Sequence, residues 1–148
     1  MTTETTPKLQ TVGAIMTSRV VTIAMDDSLE VLRNIFQKVK FHHLIVADEG
    51  KIVGVISDRD FFKAISPYVG TMSETLRDRA TLEKRAHQIM SPSPVTVQKN
   101  CPIQQAARLM LDRSISCLPV ILSDGTIAGV VTWKDVFKVF LDPLDSTN

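Results

Sequence analysis

The chain has 148 residues, of which 44% are hydrophobic and 22% charged, and its formal net charge is +1. This length suits one domain, or two very small ones that share a core, with the composition of a soluble globular protein. The near-neutral charge, an aromatic content of 5% and the lack of a long apolar run argue against nucleic-acid binding and a membrane span. Residues 1–11 carry no signal-peptide pattern and are predicted to be a disordered lead, so we expect a cytoplasmic protein.

Most of the remaining chain is an internal duplication. Residues 13–65 align with residues 87–140 when one extra residue is allowed in the second copy near Leu122, and 13 of the 53 paired positions are then identical. Average composition would give about three identities by chance. The two copies are therefore expected to share one fold.

Each copy shows the same predicted order of elements. A short β-branched strand, "VVTI" or "VTV", precedes an amphipathic helix that begins near a capping-box pattern at Asp27–Glu30 in the first copy and at Pro102 in the second. Two strands joined by a Gly-containing turn follow, "HLIVA" with "KIVGVIS" and "CLPVIL" with "TIAGVVT", and a second helix closes each copy. The predicted fold class is α/β, with two pseudo-symmetric β-α-β-β-α repeats packed sheet to sheet as one module.

These elements set the predicted domain limits. The first repeat covers residues 12–66, a linker covers 67–85, the second repeat covers 86–141, and residues 142–148 form a tail. The linker carries a charged run, predicted as a helix from Ser73 to Arg85. That helix has either a solvated face or a face for a partner, and its sequence does not separate the two.

A seven-residue pattern occurs at the end of both repeats, "GVISDRD" at 54–60 and "GVVTWKD" at 129–135. Its hydroxyl residue and final acid fit a helix cap that needs no ligand. Two features favour a nucleotide site instead. Gly54 and Gly129 interrupt strands where something approaches the backbone closely, and Arg59 and Lys134 suit an anion near the helix start.

In these residues the chain resembles a tandem pair of CBS domains, over about residues 12–140. The resemblance rests on both heptapeptides, on "ISCLPV" at 115–120 and on the duplicated order of elements. It implies two clefts between facing repeats that hold AMP, ADP or ATP, or S-adenosylmethionine, with no required cofactor. The hydroxyl and acid of each heptapeptide would contact ribose.

Carried over by position, the resemblance implies two groups of ligand-binding residues. The first group is Thr132, Lys134, Asp135, Met16, Arg19, Val21, Phe41 and His42. The second group is Ser57, Arg59, Asp60, Met90, Ser93, Val95, Ile115 and Ser116.

Some residues depart from the family pattern or have simpler explanations. Ile45 stands where the second repeat has Pro119, and His42-His43 replace Ser116-Cys117. Adjacent strand residues face opposite sides, so the two histidines are not expected to share a metal. Trp133 is predicted to be a packing or dimer-contact residue. Cys101 and Cys117 lack metal or disulfide spacing and are expected to fill the core.

Three function classes follow from these patterns. A search for nucleophile, metal and phosphate-loop motifs gives none, so we expect no enzymatic activity. The leading prediction is a sensor of adenosine nucleotides that, as the resemblance implies, forms a homodimer and regulates an enzyme or transporter in trans. The alternative is a scaffold with vestigial clefts, in which the heptapeptides only cap helices.

Overall fold

The computed structural model describes residues 10–142, so residues 1–9 of the predicted lead and 143–148 of the predicted tail lie outside it. The described chain divides into two compact units. One unit is Val20–Pro94, and the other combines the described residues up to Arg19 with those from Val95 onward. Each unit has its own buried apolar core.

The unit Val20–Pro94 contains a four-stranded sheet with short helices around it. The sheet order is β1-β2-β3-β4, with β1 parallel to β2 and the other pairs antiparallel. Its core includes Leu32, Leu44, Ile56 and Phe61, each at most 1% exposed. The elements are β1 (Thr22–Ile23), α1 (Leu29–Lys38), β2 (His43–Asp48), β3 (Lys51–Ser57), α2 (Asp58–Ala64), α3 (Leu76–Ala80), α4 (Ala86–Ile89) and β4 (Ser91–Pro92).

The second unit repeats this plan with a three-stranded sheet of order β5-β6-β7. Strand β5 is parallel to β6, and β6 and β7 form an antiparallel hairpin. Its core includes Val12, Met110, Leu118 and Val131, all fully buried. The elements are a 3-10 turn at Val12–Ala14, β5 (Val97–Gln98), α5 (Ile103–Arg113), β6 (Cys117–Ile121), β7 (Ile127–Thr132) and α6 (Trp133–Leu141).

The structure confirms the predicted α/β class and the β-α-β-β-α order in both repeats. The two hairpins also share a register irregularity at equivalent places, after Val46 in the first repeat and after Val120 in the second. Ile45 and Pro119 take equivalent positions, opposite Val55 and Val130. The replacement of proline by isoleucine therefore leaves the hairpin register unchanged.

Two predicted helix starts are wrong by one residue. Ser28, rather than Asp27, caps α1, and its hydroxyl accepts a hydrogen bond from the amide of Val31 at 3.4 Å. The carboxylate of Asp27 is engaged elsewhere, because it accepts from the amide of Ala24 at 2.7 Å. Pro102 is likewise the cap of α5, and the helix begins at Ile103.

The predicted helix from Ser73 to Arg85 is also wrong, since the segment is broken. It contains α3, a 3-10 turn at Thr81–Glu83 and an extended residue, Lys84. Leu82 is 2% exposed within the core of its unit, and the carbonyl of Lys84 accepts from the amide of Leu29 at 2.9 Å. Burial of Leu82 and pairing of Lys84 with the start of α1 replace a continuous solvated helix.

The segment before the first strand of each repeat pairs with the last hairpin strand of the other repeat. Thr17 and Val130 exchange two backbone hydrogen bonds of 2.9 and 3.0 Å. In the same way, Ser91 in β4 pairs with Val55 in β3. The strand part of each heptapeptide is therefore paired on one side with a segment of the other repeat.

Candidate functional site

The first heptapeptide forms the junction between β3 and α2. Ser57 caps α2, and its hydroxyl accepts a hydrogen bond from the amide of Asp60 at 3.0 Å. The Oδ2 atom of Asp60 accepts in return from the amide of Ser57 at 3.3 Å. This is the reciprocal capping box that the spacing predicted. The second carboxylate oxygen, Oδ1, accepts no hydrogen bond from residues 10–142.

The second heptapeptide forms the equivalent junction between β7 and α6. The Oδ2 atom of Asp135 accepts from the amide of Thr132 at 2.9 Å and from its hydroxyl at 3.1 Å. The hydroxyl of Thr132 accepts from the amide of Asp135 at 3.4 Å. Here too, Oδ1 accepts nothing from the described part of the chain. Helix capping thus uses one carboxylate oxygen of each acid and leaves the other without a hydrogen bond from residues 10–142.

The close approach predicted at Gly54 and Gly129 is confirmed, but its interpretation as a sign of a ligand is wrong. A Cβ at Gly54 would collide with the Met90 side chain, whose Cγ would lie 2.8 Å away. A Cβ at Gly129 would lie 2.6 Å from the carbonyl oxygen of Thr17 and 3.0 Å from Sδ of Met16. The close approach to each strand is made by the protein's own chain, so the glycines are not evidence for a ligand.

A cation precedes each acid at the surface of the molecule. Arg59 and Lys134 are exposed, and neither side chain makes a hydrogen bond or ion pair with residues 10–142. Both cations therefore remain available to an anionic group such as a phosphate.

Beside the first heptapeptide lies a cluster of titratable side chains that the sequence reasoning missed. Nδ1 of His42 lies 2.9 Å from Oδ2 of Asp58. Burial lowers the pKa of the His43 imidazole, against the opposing charges of Asp58 and Asp60. The signal in the sequence was the additional acid of "SDRD", Asp58, because the equivalent residue of "TWKD" is a tryptophan.

The corresponding place in the second unit is occupied by Trp133. Its indole Nε1 donates to the carbonyl of Ile115 at 3.1 Å, and its ring contacts Phe137. The predicted packing role of Trp133 is thus confirmed. Burial, with a smaller contribution from the charge of Asp135, raises the pKa of the nearby Cys117 thiol to about 12. Cys117 and Cys101 are free and buried, as expected of core residues.

The remaining predicted site residues divide between the units. Met16 and Arg19 lie in the same unit as Thr132, and Met90 and Ser93 lie in the same unit as Ser57. Ser93 adopts the left-handed conformation with φ of 47° and donates its amide to the carbonyl of Val53. The assignment of Val21, Phe41 and His42 to the Thr132 group, and of Val95, Ile115 and Ser116 to the Ser57 group, stays a prediction.

Two further kinds of site were sought in residues 10–142. No group of three or more His, Cys, Asp or Glu side chains there is arranged to hold a metal ion. Within the same residues, no helix has the length and apolar character needed to cross a membrane.

Comparison with known proteins adds to this geometry. The sequence matches the CBS domain family over residues 12–67 and again over 86–142. A CBS domain-containing protein of Dictyostelium discoideum is 31% identical over 136 residues, which cover 90% of this chain and 93% of that protein.

Solved structures give the same result. A CBS domain pair in complex with 5′-methylthioadenosine and S-adenosyl-L-methionine superposes with a TM-score of 0.73 at 27% identity, covering 90% of this chain and 97% of that one. CBSX2 from Arabidopsis thaliana, in complex with AMP, superposes with a TM-score of 0.72 at 28% identity. That match covers 88% of this chain and 96% of CBSX2.

Proposed function

The chain belongs to the CBS domain family and carries two copies of the domain, and on this premise we propose that it is a regulatory module that binds adenosine nucleotides. The ligand class is AMP, ADP or ATP, with S-adenosylmethionine as a further candidate. CBS pairs of the same fold have been solved with AMP and with S-adenosyl-L-methionine, which supports this class.

One observation carries the proposal. Asp60 and Asp135 each cap a helix through Oδ2 and present an Oδ1 that accepts no hydrogen bond from residues 10–142. A carboxylate oxygen fixed in this way suits a ribose hydroxyl, because the cap orients it before the ligand arrives and a charged acceptor strengthens the hydrogen bond. The neighbouring cations, Arg59 and Lys134, suit a phosphate.

The output of such a module requires a partner. We propose that it acts in trans on an enzyme or transporter and that its own role is binding rather than catalysis. Ligand binding would shift the population of conformations that the partner recognises.

We also propose that the chain forms a homodimer. Helix α6 supports this, because Phe137, Phe140 and Leu141 are 57%, 81% and 79% exposed. A row of large apolar side chains on one helix is costly in water and is typical of a surface that another protein covers. Sedimentation velocity is the test: the wild-type chain should sediment as a dimer, and Phe140→Glu should shift it toward monomer.

The ligand proposal is tested by isothermal titration calorimetry with AMP, ADP, ATP and S-adenosylmethionine, supported by thermal unfolding. A ligand at 100 times its dissociation constant should stabilise the protein by about 2.7 kcal/mol. The absence of binding heat and of a thermal shift with all four would contradict the proposal.

Such a negative result would favour a scaffold without ligands. That second candidate is supported by the same capping boxes, because Ser57–Asp60 and Thr132–Asp135 stabilise their helices with or without a nucleotide. A scaffold would retain the dimer and its partner while responding to no adenosine ligand.

A further inference from the structure

The two heptapeptides differ most at the residue after the hydroxyl, which is Asp58 in one and Trp133 in the other. The backbone amides of these two residues make equivalent hydrogen bonds. The amide of Asp58 donates to the carbonyl of His42 at 2.8 Å, and the amide of Trp133 donates to the carbonyl of Ser116 at 3.2 Å. The difference between the sites is therefore one of side-chain chemistry at a shared position.

That chemistry is polar in one unit and apolar in the other. Asp58 faces His42 across 2.9 Å, and the side chains are 38% and 72% exposed, so both are accessible from solvent. Trp133 is partly buried against its core, and its only polar atom is satisfied by Ile115.

The groups around the first site lie close enough to act on one another. The titration of His43 responds to the charges of Asp58, His42 and Asp60, whereas at the equivalent Cys117 only the charge of Asp135 acts. Arg59 and Lys134 supply one cation to each site. The first site therefore carries one carboxylate more than the second.

We propose that Asp58 makes the Ser57–Asp60 site select adenosine ligands without phosphate, whereas the Thr132–Asp135 site accepts phosphate-bearing ones. This inference rests on the proposed function. A phosphate beside Arg59 would face the extra carboxylate, and like charges at a protein surface repel by an amount that weakens binding several-fold. A neutral thioether or a sulfonium cation meets no such repulsion.

The experiment uses two full-length proteins that each keep one site. Asp135→Asn leaves the Ser57–Asp60 site and Asp60→Asn leaves the Thr132–Asp135 site, and calorimetry at pH 8 gives the affinities for AMP and adenosine. We expect the affinity ratio of AMP to adenosine to be at least about fivefold lower in the Asp135→Asn protein. Equal ratios, with adenosine bound by both proteins, would overturn the inference while leaving the proposed function intact.

Removing the charge of Asp58 tests whether this residue causes the weaker binding of AMP. Asp58→Asn in the Asp135→Asn protein should raise AMP affinity about fivefold and leave adenosine affinity unchanged. The control is Asp48→Asn, which removes an exposed acid at the far end of β2 and should change neither. If Asp58→Asn behaves like the control, Asp58 does not select the ligand.

Failure of wild-type protein to bind adenosine or any adenosine derivative would defeat the proposed function and this inference together. Circular dichroism checks that each variant is folded. Asp58→Asn in the wild-type chain measures the same gain in AMP affinity in a protein that keeps both sites.

Discussion

Thr132 and Asp135 are joined by three hydrogen bonds, and the two that the carboxylate accepts both use the same oxygen, Oδ2. This arrangement separates two roles that the sequence pattern left in competition. One oxygen stabilises the start of α6, and the other is held in a fixed direction without a partner in residues 10–142.

The separation predicts different consequences for binding and stability. Asp135→Asn should weaken nucleotide binding at its site by about 10- to 100-fold, since a charge-assisted hydrogen bond to ribose is lost. Its free energy of unfolding should change by less than about 1 kcal/mol, because the amide oxygen still accepts from the amide of Thr132. Calorimetry and urea unfolding measure the two quantities. Asp135→Ala is the control that should lose both, and a destabilised Asn variant with unchanged binding would make the acid purely structural.

The buried thiol of Cys117 gives a second prediction. With a pKa of about 12, only about one part in ten thousand is thiolate at pH 8, and the thiolate is the reactive form. In a Cys101→Ser background, Cys117 should therefore resist a disulfide reagent in the native protein and react fully in denaturing urea. Labelling of the native protein at the rate of a free cysteine would show that the site opens readily.

His43 predicts how stability responds to acid. Its pKa is lowered by burial from the ordinary value of 6.5, so the unfolded chain binds this proton more readily than the folded one. The free energy of unfolding should then fall as pH decreases below about 6.5 and level off below the folded pKa. Urea unfolding from pH 8 to pH 5 measures this slope. His43→Gln should reduce the slope, whereas the exposed His87→Gln should leave it unchanged, and equal slopes in all three proteins would contradict the assignment.

The elements that the sequence predicted well are those with local signals. The apolar runs of β2 and β3, the Gly-containing turn between them, and the spacing of Ser57 and Asp60 all depend on near neighbours in the chain. The duplication supports them by repeating the same local pattern. The pairing of Thr17 with Val130 has no such signal, because the two residues are 113 positions apart (130 − 17) and Thr17 lies outside every predicted strand and helix.

The same limit explains the errors at individual residues. Asp27 and Ser28 both suit a helix cap, and only the fold shows that Asp27 is already bound to the amide of Ala24. Likewise, Gly54 signals a close approach without revealing what approaches. The contact with Met90 is a tertiary one, which no local sequence pattern predicts.

The glycine contacts support a final prediction, which depends on what each Cβ would meet. Gly54→Ala and Gly129→Ala should both destabilise their unit, by about 1–3 kcal/mol, because an added methyl overfills a packed site. At Gly54 the obstacle is the flexible Met90 side chain, whereas at Gly129 the nearest obstacle is the carbonyl oxygen of Thr17, which is part of the paired backbone.

Double-mutant cycles measured by urea unfolding distinguish the two cases. Met90→Ala should rescue Gly54→Ala, with a favourable coupling of about 1 kcal/mol or more, because it removes the atoms that the new methyl meets. Met16→Ala should rescue Gly129→Ala much less, because the carbonyl of Thr17 remains 2.6 Å from the added Cβ. Equal rescue at both positions would mean that the segment before β1 yields as easily as a methionine side chain, and that the backbone pairing of Thr17 with Val130 does not hold this edge of the sheet.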